Sequence, residues 1–199
     1  KGETMEKKAH LRDGSEILIR DLRPDDVDRS LEFFRGLPEK DRLYLRNDVT
    51  KREVIEERIT KMERGGILRL VAVDEGGRIV ADGSLESEAF AWRNHVAELR
   101  LIVASDYQRK SLGMLLAREL YLIAASKGVE EIVAQFMAPQ KAAFKIIERL
   151  GFTQEGVLPG HVKDTKGKRH DLIVMRCKLK DVLEELENYI ARYDWQRTR

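Results

Sequence analysis

Cysteine is nearly absent. Cys177 is the one thiol in 199 residues, which excludes a disulfide framework and any cysteine-built zinc site. A surplus of either charge is missing as well. Lys and Arg total 37, Asp and Glu 35, a net of +2, so the basic excess of a dedicated nucleic-acid binder is not there. No apolar run reaches the ~18–20 residues of a membrane span. The first ten residues, KGETMEKKAH, are polar and lack the apolar centre of a secretory signal. His10, His95, His161 and His170 fall at no metal-ligand spacing. Two phosphate signatures are also missing: GxxxxGK[ST], and GxGxxG placed after a strand. The absences leave a soluble, cytoplasmic chain with no metal and with neither nucleic acid nor membrane as partner.

What is present is a 42% hydrophobic, 36% charged sequence. The charged share exceeds the roughly 25% of an average soluble protein, so a charged, helix-rich surface is expected. Residues 1–10 read as a disordered leader, 11–180 as one domain, and 181–199 as a C-terminal helix and tail. Ile17 and Ile19 alternate as in a strand. Val27, Leu31, Phe34 and Leu37 share a helical face, and a second helix is predicted over Lys51–Arg64. Strands follow at Ile67–Val73, Arg78–Ser87 and His95–Val103, the first two joined by the turn signal Glu75-Gly76-Gly77. The second half predicts a helix over Ser111–Lys127, a strand at Glu130–Phe136 and a helix over Pro139–Leu150. It closes with strands at Phe152–Leu158 and Asp171–Leu179, linked by a loop over Gly160–His170, and a helix over Asp181–Tyr193. The order predicts a mixed α+β fold with a mostly antiparallel twisted sheet and helices on both faces. The last helix packs on the domain or dimerises, so the chain is a monomer or a homodimer.

The segment with chemistry runs from Val103 to Leu116. A buried strand ends, a short basic loop follows and a helix begins. Amides at a helix start lack intrahelical partners, and with the helix dipole they bind phosphate oxygens. Arg109 and Lys110 add positive charge there, and Gly113 permits close approach of a ligand to the backbone. Gln108, Arg109, Lys110, Ser111, Leu112, Gly113 and Met114 are therefore the candidate pyrophosphate site.

This segment resembles the pyrophosphate motif Q/R-x-x-G-x-G/A of the GNAT superfamily of acetyl-CoA-dependent N-acyltransferases. It reads Gln108-Arg109-Lys110-Ser111-Leu112-Gly113, with Ser111 in place of the first glycine. Glu98 stands where that family has an acidic strand residue about ten positions upstream, Gly151-Phe152 matches its distal helix end, and Gln140 lies eleven positions before Gly151. The resemblance runs from Ile17 to Leu179. At the front, Leu11-Arg12-Asp13-Gly14, Ile19-Arg20-Asp21-Leu22-Arg23-Pro24-Asp25-Asp26 and Leu43-Tyr44-Leu45-Arg46 look like the GNAT domain of bacterial protein lysine acetyltransferases, as does Ala97-Glu98-Leu99.

The resemblance implies a GNAT fold and acetyl-CoA as co-substrate, its pantetheine between strands Val96–Val103 and Glu130–Phe136 that splay apart. It implies that Leu101, Ile102 and Val103 pair with the coenzyme's amides. A backbone N–H of Leu101 or Ile102 at a strand bulge then meets the thioester oxygen, Gln140 contacts the coenzyme, and Glu98 is the base. The tyrosine that many relatives use as general acid is Ile147 here, leaving Tyr107 and Tyr121 as substitutes. The activity implied is acetyl transfer to a primary amine by direct attack, with a protein lysine as acceptor. The alternatives are a small amine, an N-terminus, or a silent CoA-binding sensor.

Overall fold

In the computed structural model, which describes residues 5–63, 67–87 and 91–184, eight strands form one sheet in the order β1-β2-β3-β4-β5-β6-β8-β7. The strands are β1 Glu6–His10, β2 Glu16–Asp21, β3 Ile67–Asp74, β4 Ile79–Ser87, β5 Val96–Val103, β6 Glu131–Met137, β7 Thr153–Lys163 and β8 Arg169–Lys178. Helices are α1 Val27–Gly36, α2 Glu39–Arg42, α3 Arg52–Glu63, α4 Leu112–Ser126 and α5 Lys141–Arg149. All neighbours run antiparallel except β5 and β6. The parallel pair needs a crossover, and α4 provides it. The expected mixed α+β fold, mostly antiparallel with one parallel pair, is what the chain adopts.

Period-two alternation divides most buried residues of the central strands between two cores. Leu70, Ala72, Ala81, Leu85, Ala97 and Leu99 turn to α4 and meet Leu112, Leu116 and Leu120. Val71, Val73 and Ile79 turn the other way, to Leu31 and Phe34 of α1 and Ile55 and Ile59 of α3. Helix α4 lies close on the sheet because Gly83 has no side chain. A Cβ there would stand 2.9 Å from Leu120 Cδ1 and 3.1 Å from Leu116 Cδ2.

Three expectations are corrected. Residues 6–10 of the presumed leader form strand β1, paired from Glu6↔Arg20 to His10↔Glu16. This edge strand has no apolar alternation because its charged side chains face water, a common guard on sheet edges. Lys8 Nζ pairs with Glu16 at 2.9 Å, and Met5 N–H donates to Asp21 Oδ2 at 2.7 Å. The Gly160–His170 loop is also mostly strand. Its turn is only 164–168, where the Asp164 carboxylate accepts from the amides of Lys166 (2.9 Å) and Lys168 (3.0 Å). Edge exposure of β7 hid its length. Thirdly, the final helix starts at 179, inside the expected strand, and is described to 184; Val182 is in the core. Arg64 and residues 185–199 lie outside the described residues.

Candidate active site

The site lies where β5 and β6 part. Pairing runs from Val96↔Glu131 to Glu98↔Val133 and stops, while β5 continues to Val103 and β6, held by β8, to Met137. The carbonyl of His95 accepts from Glu130 and Glu131 on the β6 side (2.8 and 3.1 Å), and Ala104 N–H donates to Val80 on the β4 side (2.9 Å). Backbone groups alternate sides along a strand. Those of Leu99, Leu101 and Val103 therefore face the opening beyond Glu98, and those of Ile102 face β4. The bulge expected in β5 is not there. The β4–β5 register is unbroken from Ala97 to Val103, and the opening exists because β6 follows β8. Of the two expected oxyanion donors, this geometry presents Leu101 and turns Ile102 away.

At the end of β5 the chain makes the loop that leads into α4. Arg109 (φ 62°) and Ser111 (φ 70°) both adopt the left-handed conformation. L-residues enter that region at a cost of roughly 1–2 kcal/mol, and left-handed residues alternating with right-handed ones gather successive amides into an anion-binding concavity. The glycine that the motif has at position 111 thus corresponds to a backbone demand that Ser111 meets under strain. Ser111 occupies the N-cap of α4, yet its hydroxyl makes no capping bond. Amides of Leu112, Gly113 and Met114 open the helix. A Cβ on Gly113 would meet Leu101 Cδ2 at 3.4 Å and Val103 Cγ2 at 3.7 Å. These are ordinary contact distances, so the packing of α4 on β5 does not itself require glycine there.

The basic residues of the loop differ in what they do. Lys110 Nζ is 2.8 Å from Asp13 Oδ2 and 4.8 Å from the Tyr107 ring centroid, and its carbonyl accepts from Arg12 N–H at 3.2 Å. The hydrogen bond to Asp13 raises the Lys110 pKa and holds the Asp13 carboxyl well below the usual carboxylate range. Lys110 thus moors the loop to the β1–β2 turn. Arg109 is exposed. Gln108 Nε2 donates to the Val103 carbonyl at 3.2 Å. Gln140 directs Oε1 back to Met137 N–H at 2.8 Å, fixing the turn from β6 into α5.

On the other face of the sheet, Glu98 is the last residue of β5 paired to β6, with 21% of its side chain exposed. Arg46, from the turn between α2 and α3, grips both of its oxygens: Nη1 donates to Oε2 at 3.0 Å and Nη2 to Oε1. Arg100 approaches Glu98 at 3.7 Å and Glu86 at 3.2 Å. Arg69 reaches Asp82 (2.6 Å) and Glu86 (3.5 Å), and Arg58 joins Asp82 at 3.2 Å. Burial, ahead of its charged neighbours, lowers the pKa of both Arg58 and Arg100. Arg46 entered the sequence reading only within the Leu43–Arg46 motif, not as a partner of Glu98. The signal was the period-two charge in buried strands: Asp82 and Glu86, then Glu98 and Arg100.

The substitute acids do not reach this place. Tyr107 donates its hydroxyl to Asp74 at 3.2 Å beside the β3–β4 turn. Tyr121 is fully buried in the core, its hydroxyl without a partner among the described residues, and burial raises its pKa well above the ordinary value. Ile147 is buried in the same core. Cys177 is a buried thiol pushed up to about 12 by burial.

A strand edge left open beyond Glu98, a run of amides at the start of α4 and a carboxylate at the fork suit the class of enzyme that binds a coenzyme diphosphate and transfers a group. The family comparison gives that class its name. Residues 31–152 match the model of the acetyltransferase (GNAT) family, so the chain belongs to the GNAT acetyltransferases. It is 32% identical over 112 residues to the "Putative phosphinothricin acetyltransferase YwnH" of Bacillus subtilis, covering 55% of this chain and 67% of that one. Among solved structures it resembles the ribosomal-protein-alanine N-acetyltransferase of Brucella melitensis, with 25% identity, a TM-score of 0.70 and coverage of 80% of this chain and 98% of the other. A phosphinothricin acetyltransferase of Sinorhizobium meliloti in complex with acetyl-CoA shares the fold at 17% identity and a TM-score of 0.69, covering 80% and 86%. Among the described residues no helix is long and apolar enough to cross a membrane.

Proposed function

We propose that this acetyltransferase moves the acetyl group of acetyl-CoA to a primary amine by direct attack, with Glu98 as the base. The observation that carries the reading is the meeting of three features along β5: Glu98 at the last residue paired to β6, a backbone edge unpaired by β6 from Leu99 to the Val103 N–H, and the left-handed loop into α4. Amides from Arg109 to Met114 hold the diphosphate, with the charge of Arg109 beside them. Leu101 and Val103 pair with the pantetheine, and Gln140 supports the turn on its far wall.

An alkylamine has a pKa near ~10.4, so removing its proton at pH 7 takes about 4–5 kcal/mol. A carboxylate in reach of the nitrogen, directly or through water, supplies a general base, worth ~10²–10⁴ in rate. The Leu101 N–H is placed to donate to the oxyanion as the nitrogen adds to the thioester carbon. The thiolate, from a thiol of pKa about 8.5, then leaves with little help, which suits a site whose tyrosine position holds Ile147.

A small amine is the acceptor that the names of YwnH and of the Sinorhizobium meliloti protein support. A protein lysine is a second reading, supported by the front motifs around Asp13, Asp21 and Tyr44. Thiol release from acetyl-CoA, measured against a panel of amino acids, alkylamines and lysine-bearing proteins, separates the two. Glu98→Gln is expected to lower kcat by about 10²–10⁴. Full activity in that variant, or an isolable acetyl-enzyme, would refute direct attack with Glu98 as base.

A further inference from the structure

The seat that an acceptor nitrogen needs on Glu98 is already taken by Arg46. The guanidinium spans both carboxylate oxygens and reaches Gln135 Oε1 at 3.5 Å. The two partners differ in how they are held. Glu98 is fixed in the sheet between β4 and β6. Arg46 comes from the irregular stretch 43–51, and 41% of its side chain is exposed. The stretch is anchored on both sides of Arg46, downstream by Val49, buried against the α1–α3 core, and by the Thr50 carbonyl, which accepts from Arg35, and upstream by the tip of the β7–β8 hairpin. Thr165 N–H donates to the Leu43 carbonyl at 3.1 Å, and the Tyr44 ring meets His170 edge-on at 6.1 Å, with His170 Nε2 2.8 Å from Asp164.

Resting on the reading of Glu98 as base, we infer that Arg46 is the acceptor's rival: it holds the ammonium position on Glu98 and must yield it before each transfer. The charge count says what form of acceptor can take its place. Four guanidinium groups (Arg46, Arg58, Arg69, Arg100) face three carboxylates (Asp82, Glu86, Glu98) in this network. An alkylamine is an ammonium ion in neutral water. It replaces Arg46 charge for charge, and the guanidinium turns to solvent. One N–H bond of the ammonium then breaks as an O–H bond forms on Glu98; the electron pair stays on nitrogen, which attacks. A nitrogen that is uncharged in water, such as an arylamine or an amide, brings no charge to exchange. Arg46 therefore selects basic alkylamines.

The test uses n-butylammonium and guanidinium chloride as probes, with binding measured by calorimetry in the absence of acetyl-CoA. Removing a half-exposed ion-pair partner is worth about fivefold in affinity. Arg46→Ala is expected to bind both probes about fivefold more tightly than wild type. It also becomes sensitive to guanidinium as an inhibitor competitive with the amine, and Arg46→Lys behaves as wild type. Unchanged or weaker probe binding in Arg46→Ala overturns the proposal. So does a fall in kcat at constant KM, which would make Arg46 a residue that positions Glu98. The binding arm needs no turnover. Wild-type protein that binds the probes as expected but transfers no acetyl group refutes the catalytic reading and leaves the exchange standing.

Discussion

Replacing Ser111 by glycine tests the backbone logic of the loop that leads into α4. Ser111 is left-handed at φ 70° and caps α4 without using its hydroxyl. The left-handed region costs a residue with a Cβ roughly 1–2 kcal/mol. Glycine removes that strain but adds about 0.5–1 kcal/mol of unfolded-state entropy. The balance is a stabilisation of about 0.5–1 kcal/mol, or roughly 1–4 °C in melting temperature for a chain of this length. Ser111→Ala is the control. Loss of a bonded N-cap side chain usually costs about 1 kcal/mol, whereas here alanine is expected within about 0.5 kcal/mol of wild type. Urea melts of the three proteins read the stabilities, and calorimetry with acetyl-CoA should show binding retained in Ser111→Gly because the amides stay in place. A destabilised glycine variant, or an alanine variant that loses a full cap's worth, would refute the argument.

Two further outcomes follow from burial. Gly83→Ala puts a Cβ 2.9 Å from Leu120 Cδ1 and should lift α4 from the sheet, costing about 1–3 kcal/mol in thermal or urea melts; an unchanged melt would contradict the close packing. Cys177, with its thiol pushed up to about 12, should have a thiolate fraction of about 10⁻⁴ at pH 8, against about a quarter for a free thiol. Iodoacetamide should therefore label native protein at least ~10³-fold more slowly than unfolded protein. The sign of the linkage is that stability from this buried neutral thiol is complete below the unfolded pKa of ~8.5 and is lost as pH rises toward the folded value. Rapid labelling of folded protein would contradict it.

The interior was largely legible because its signals are periodic. Leu112, Leu116 and Leu120 announced α4. What escaped had no periodic signal. Strand β1 is a charged edge whose pairing comes from its backbone, so its side chains carry no pattern. Strand β7 is exposed over most of its length, and its part beyond Leu158 reads as loop. Arg46 lies on no regular element, and its partner is 52 residues away at Glu98. The orientation of Ile102 depends on which side of β5 each amide faces, which is fixed by pairing with β4 and β6 and not by residue type. The motif identified Ser111 as a departure from glycine, but only the backbone angle says what that departure costs.

A crystal structure with acetyl-CoA bound tests the central claim most directly. The account requires diphosphate oxygens within hydrogen-bond distance of amides between Arg109 and Met114, pantetheine along the open edge of β5, and the thioester oxygen at Leu101 N–H with Glu98 nearby. Diphosphate bound elsewhere, with those amides left to water and the fork between β5 and β6 closed, would contradict it.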